Sequence, residues 1–167
     1  MKTDAIPPTL AVANEHPAKK NTPVIEALKP LVADTFALYL KTKNFHWHLS
    51  GPHFRDYHLL FDEQAEQIFA MTDILAERGR KLGGLTIHSI SEISQYQTLE
   101  DDNDPFVTPE EMLKRLYNDN KSFAAHLLKV HKICEKEEDV ATASILEVFL
   151  DETERRAWFL FETRQKR

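Results

Sequence analysis

His46, His48, His53 and His58 place four imidazoles within thirteen residues. A helical stretch follows at once and carries Asp62, Glu63, Glu66, Asp73 and Glu77. Imidazole nitrogen and carboxylate oxygen together suit a redox-active first-row metal. Imidazole binds Fe(II) adequately and carboxylate favours Fe(III), so a mixed set can take the reduced ion and release it once oxidised. Two spacings organise these donors. His58 and Asp62 are four residues apart, as are Asp73 and Glu77. Side chains at i and i+4 of an α-helix stand one above the other.

If residues 54–82 form one helix, Asp62, Asp73 and Glu77 lie roughly 40°, 60° and 100° round from His58. All four then share a face. Along the axis, however, Asp62 and Asp73 are about 16 Å apart, whereas paired metals sit about 4 Å apart. One copy cannot bring both pairs to one centre. A second copy can, because 58 + 77 and 62 + 73 both equal 135. An antiparallel two-fold pair crossing between Ala65 and Phe69 sets His58 and Asp62 of one chain beside Glu77 and Asp73 of the other. Symmetric dimers are the commonest oligomers. The same four residues would equally serve as a solvated helix face.

The elements that position these residues are helices. The chain has 167 residues and only four glycines, enough for one cored domain and poor in turn chemistry. Residues 1–21 contain Pro7, Pro8 and Pro17 without apolar periodicity and are expected to be a flexible tail. From 22 to 167 one helical domain is expected. Thr22-Pro23 starts the first helix as N-cap and first position, with Pro30 set to kink or loosen it. It ends near Leu49, before Ser50-Gly51-Pro52. The second helix covers about His53 to Leu82, burying Phe54, Leu60, Phe61, Ile68, Met71, Leu75 and Leu82, and closes at Gly83-Gly84. Ile87, Ile90, Ile93 and Tyr96 recur every three residues and predict a short helix near 89–97. Thr108-Pro109-Glu110-Glu111 reads as a capping box opening a third long helix to about Glu135. The fourth runs from about Asp139 to Arg164. Four such helices bury their apolar stripes as a bundle. The short helix lies in the crossover between the second and third long helices.

Net charge is −6, which disfavours DNA and acidic membranes as partners of the folded body. The tail, with Lys2, Lys19 and Lys20, is slightly basic and leaves open a DNA-binding arm. One cysteine, Cys134, excludes an intrachain disulfide and is expected as a buried filler. The chain shows neither a secretory signal nor 18 consecutive apolar residues, so the expected location is cytoplasmic.

Lys43-Asn44-Phe45-His46-Trp47, then Gly51, then Tyr57-His58-Leu59-Leu60-Phe61-Asp62, then Asp73-Ile74-Leu75-Ala76-Glu77-Arg78 with Leu82-Gly83-Gly84 make the chain resemble the Dps proteins, DNA-protecting miniferritins of starved cells. The resemblance implies an all-α, ferritin-like four-helix bundle assembled as a hollow dodecamer of two-fold dimers. It implies a ferroxidase centre at each two-fold interface, with His46, His58 and Asp62 from one subunit and Asp73 and Glu77 from its neighbour. His46 enters the set only through the resemblance. The implied reaction is oxidation of Fe(II), preferably by hydrogen peroxide rather than oxygen, with Fe(III) stored as mineral; zinc or manganese would compete. Trp47 and Trp158 match positions where the family often has tryptophan near the centre, with interception of radical equivalents as the suggested role; Trp158 reads equally well as a core aromatic.

The chain departs from the family in having His48 where Asn is usual, pointing about 200° away from His46 on a helix. It is a surface residue or an added ligand. His53, His88, His126 and His131 have no ligand-spaced partner. Arg78 is expected in a structural ion pair. Acidic residues from Glu135 to Asp139 read as a solvated turn or a three-fold iron entry pore. Two other functions remain open from sequence. One is a nucleoid-associated protein shielding DNA by direct binding. The other is a larger-ferritin or rubrerythrin-like di-iron protein, which the lack of ExxH disfavours.

Overall fold

A computed structural model describes residues 21–165. The tail expected at 1–21 lies outside the described residues except for Asn21, as do Lys166 and Arg167 of the basic C-terminal run. Five helices follow in order: α1 Thr22–His48, α2 Phe54–Lys81, α3 Ile90–Tyr96, α4 Pro109–Lys136 and α5 Val140–Thr163. No strand occurs among the described residues. The architecture is the expected all-α four-helix bundle with a short extra helix in the crossover.

Side-chain contacts fix the directions. Lys43 meets Asp62 and His46 meets His58, so α1 and α2 are antiparallel. Asp34 meets His126 and Lys41 meets Asp119, so α1 and α4 are antiparallel. His131 meets Glu147 and Asn120 meets Arg156, so α4 and α5 are antiparallel. It follows that α2 and α4 run parallel, and only a connection as long as the bundle can join them. The crossover carries α3, which packs on α1. Its far end is tied to the buried Asp34 carboxylate by the Thr98 N–H, the Thr98 hydroxyl (2.7 Å) and the Leu99 N–H (3.0 Å).

The core forms where the apolar stripes meet. Leu28, Leu31, Leu38 and Phe45 of α1 pack with Phe61, Ile68, Met71 and Leu75 of α2, and with Leu116, Phe123, Leu127 and Leu146 of the second pair. Each such side chain taken fully from water stabilises the fold by about 1.5–3 kcal/mol. Cys134 is buried as expected, and burial pushes its thiol up to about 11.

Several local expectations change. Asn21, not Thr22, is the N-cap of α1, and no side-chain cap bond forms. Pro23 at the second helical position supplies no N–H for a cap to accept from. The helix continues through Pro30. Thr108 accepts from the Glu111 N–H at 3.3 Å, but the Glu111 carboxylate turns to Lys114 and Arg115, so the capping box is half formed. Phe54 (45% exposed) is not a core residue in the single chain. The close of α2 is as expected. Gly83 takes φ +86°, its N–H reaches the Arg80 carbonyl, and the Gly84 N–H reaches the Gly79 carbonyl, the paired bonds of a Schellman ending.

Candidate metal centre

The centre is built where α1 ends and α2 begins. Ser50-Gly51-Pro52-His53 reverses the chain tightly: Gly51 has φ +116° and its carbonyl accepts from the Phe54 N–H at 3.0 Å. A φ of that sign suits glycine alone at low cost. The reversal sets the last turn of α1 against the first turns of α2 and brings His46 and His58 face to face. Their rings stack with centroids 3.7 Å apart and planes 20° apart. Phe54 covers the other side of His58 at 4.9 Å.

The two histidines hold each other. His46 Nδ1 lies 2.9 Å from the His58 carbonyl and His58 Nδ1 lies 3.0 Å from the His46 carbonyl. A carbonyl oxygen only accepts, so both Nδ1 atoms carry the proton and donate. In its neutral form each ring then presents a bare Nε2 lone pair, as metal-binding imidazoles do. Asp62, one turn beyond His58, places Oδ1 3.8 Å from His46 Nε2. Lys43, one turn before His46, donates to that same oxygen at 2.5 Å. This hydrogen bond holds the Asp62 carboxyl below its usual range against the opposing effect of burial.

The structure therefore brings His46, His58 and Asp62 together and leaves Asp73 and Glu77 apart. Both lie exposed further along α2. Glu77 pairs with Lys81 at 3.3 Å, and Asp73 borders a cleft of about 430 Å³ with Phe36, Ala76 and Ile87. Among the described residues of one chain, no three His, Cys, Asp or Glu side chains are arranged to hold an ion. The donor chemistry still fits a metal: two imidazoles with fixed tautomers and one carboxylate, short of a full coordination sphere.

The interior of the bundle offers no alternative. Its centre holds Arg156, 1% exposed, with Nε on Asn120 Oδ1 (3.1 Å) and Nη2 on Thr153 Oγ1 (2.7 Å). Nη1 has no partner. Burial pushes this guanidinium down to about 10, so it stays charged at neutral pH. Gln64 and Thr72 are the neighbouring buried polar groups on α2. A fixed cation ringed by amides and hydroxyls repels a divalent ion where rubrerythrin-like proteins would bind two.

The remaining candidates resolve into structure. His48 donates Nδ1–H to the Asn44 carbonyl and faces a groove with Trp47, Asp101 and Asp104, away from the His46–His58 pair. Trp47 is 58% exposed and Trp158 59%, so Trp158 is not the core aromatic it could have been. His53 lies tilted against Tyr57 and His126 pairs with Asp34, whereas His88 pairs with Glu92 and His131 with Glu147 and Glu135, so His88 and His131 each have a carboxylate four residues on after all. Arg78 forms its structural ion pair with Asp139 at 2.8 Å. Asp139 also caps α5 through the Thr142 N–H. Sequence reading missed Lys43, although its place three residues before His46 puts it on the same helix face. It also missed Arg156, which looks like one more charge in Glu152-Thr153-Glu154-Arg155-Arg156.

No helix among the described residues is long and apolar enough to cross a membrane. Residues 25–166 match the ferritin-like domain family. An uncharacterized low temperature-induced protein of Nostoc sp. (strain PCC 7120) is 33% identical over 138 residues, covering 82% of this chain and 77% of that one. DNA protection during starvation protein 2 of Bacillus anthracis is 30% identical over 140 residues, covering 84% and 95%. Among solved structures, Dps from Thermosynechococcus elongatus superposes with a TM-score of 0.85 at 28% identity, covering 90% of this chain and 97% of that one. Family match, bundle wiring and identity to a Dps relative agree: the chain belongs to the Dps-type miniferritins of the ferritin-like family.

Proposed function

We propose that the protein is a ferroxidase that removes Fe(II) and peroxide together and stores Fe(III) as mineral inside a hollow homo-oligomer. The reciprocal hold of His46 and His58 carries this reading, because it commits both Nδ1 atoms to backbone carbonyls and leaves both Nε2 atoms for a metal, that of His46 3.8 Å from Asp62 Oδ1. The other donors, Asp73 and Glu77, come from a second copy. Supporting this, Phe69 lies about 20° from His58 round α2, on the same face as all the α2 donors, and is 50% exposed. Leu59 on that helix is 49% exposed. Both sit where an antiparallel copy would cover them, and exposed apolar patches of this kind mark interfaces.

Two Fe(II) ions held about 4 Å apart each give one electron to one peroxide. The O–O bond breaks, two protons are taken up and two waters form, so no hydroxyl radical is released. Relatives named for DNA protection during starvation fit that outcome. The proposed setting is the cytoplasm, and the proposed assembly is a dodecamer of two-fold dimers. Trp47, exposed beside His46, is the proposed sink for stray one-electron equivalents. The double variant His58→Ala/Asp62→Ala tests the reading: rapid peroxide-dependent Fe(II) oxidation is lost while light scattering still reports the assembled oligomer. Oxidation at the native rate would refute the site.

A further inference from the structure

Two exposed aromatic patches contain no residue of α2 and so lie off the proposed two-fold face. The first is a groove of about 430 Å³ between α1 and the crossover. Leu40 and Trp47, each more than half exposed, are its apolar part, and Asp101, Asp102 and Asp104 form its wall. Glu100 continues the acidic surface. Of the cations there, Arg115 is taken up by Asp102 and Asp104, and Lys41 by Asp119. Glu100 and Asp101 therefore keep their charges. The second patch is a ridge on the last turns of α5, where Trp158, Phe159 and Phe161 stand exposed. Arg155 lies over Phe159 at 5.6 Å, and Arg164 and Lys121 lie over Tyr117 at 5.7 and 6.0 Å. None of these three cations forms an ion pair among the described residues, and Arg164 Nε is buried without a hydrogen-bond partner. Of the ridge carboxylates, Glu162 accepts the Trp158 N–H at 3.3 Å.

Both α1 and α5 run antiparallel to α4, so groove and ridge lie at the same end of the bundle. They cannot meet within one chain, because α1 packs on α2 and α4 while α5 packs on α4. A two-fold contact is satisfied by two copies and stops at a dimer, so a hollow shell needs a second kind of contact. A contact between two different patches supplies it, since it passes from copy to copy and closes into rings. We propose that the α5 ridge of one copy seats in the α1–crossover groove of a second copy, with Trp158 against Leu40 and Trp47, and Arg155 and Arg164 facing Glu100 and Asp101. The inference rests on the hollow homo-oligomer reading and names the second contact that reading requires. Apolar burial holds the two surfaces together. The charges choose the pairing, because ridge on ridge or groove on groove would set like charges face to face.

The test is sedimentation velocity on the full, metal-free chain. Glu100→Lys/Asp101→Lys reverses the groove and Arg155→Glu/Arg164→Glu reverses the ridge. Each pair is expected to stop at the two-fold dimer, with native helical circular dichroism and native Co(II) binding, since the metal donors lie on the two-fold face. All four substitutions in one chain restore the full-size particle. The milder Arg155→Gln/Arg164→Gln raises the concentration for half-assembly about tenfold, the scale of one charge-assisted contact. Full-size particles from both reversed pairs overturn the proposal, as does a quadruple variant that stays dimeric. Ridge-reversed chains that assemble fully but lose retention of single-stranded DNA overturn it as well, by giving the ridge to nucleic acid. If the reversed pairs fail to fold, native assembly of the glutamine variant overturns it. A native chain that sediments only as monomer or dimer removes the hollow-oligomer reading, and the proposal with it.

Discussion

His46 and His58 each donate Nδ1–H to the other's backbone carbonyl, at 2.9 and 3.0 Å. The two ligand candidates are thus one mechanical unit. Removing either ring leaves the backbone acceptor of the other in place but takes away its stacking partner, with ring centroids 3.7 Å apart, and one donor of a shared ion. Single variants His46→Ala and His58→Ala are each expected to weaken Co(II) or Zn(II) binding by about 10–100-fold. The double variant should lose far less than the product of the two. A double-mutant cycle by calorimetry checks this, with a coupling of about 0.5–3 kcal/mol expected. Additive losses would show that the rings bind independently.

Asp34 is fully buried and receives donors from Thr98, Leu99 and His126. Asp34→Ala strands two backbone N–H groups of the crossover and is expected to destabilise by about 2–4 kcal/mol. Amide hydrogen exchange should quicken first at Thr98 and Leu99. Protection unchanged at those two amides would mean that the segment is held elsewhere.

Arg156 carries its charge in the core without a carboxylate partner. With its ionisation pushed down to about 10 by burial, well below the ordinary arginine value of the unfolded chain, the cost is fully present at neutral pH. It declines only as pH rises from the folded value towards the unfolded one. Arg156→Leu alone removes the buried charge but orphans Asn120 Oδ1, a loss of about 1–3 kcal/mol that offsets the gain and leaves stability close to native. Arg156→Leu with Asn120→Leu should stabilise by about 1–4 kcal/mol, read as a raised midpoint in urea. A lowered midpoint would show that the polar centre supports the packing.

Gly84 lies against α1 so closely that a Cβ there would sit 2.2 Å from Ile25 Cγ2. Gly84→Ala should therefore cost about 1–3 kcal/mol. Adding Ile25→Ala, which removes the clashing methyl, should recover part of that loss despite its own cavity. A Gly84→Ala protein as stable as the native one would show that Ile25 gives way freely.

The helices were legible because their stripes and stop signals are strong: Pro109 after Thr108, Gly83-Gly84 after Leu82. So was half of the centre, since His58 and Asp62 one turn apart are a local fact. The link from His46 to His58 was not legible, because it depends on how the Gly51 reversal sets one helix end against another. Phe54 was misjudged for a related reason. Periodicity marks a residue as apolar but does not say whether its own chain or another covers it. Arg156 escaped because a charge in a charged run looks solvated, and only packing shows otherwise.

The loop from Leu49 to His53 has a consequence for how the protein keeps its shape. An ion that engages both Nε2 atoms closes a ring through α1, the loop and α2, like a clasp on a hairpin. Its binding energy is then also hairpin stability, because any state that opens the clasp lets the ion go. Under the proposed function, a chain short of metal would have first two helices that part more readily at this end, and an arriving ion would strengthen the fold that takes it.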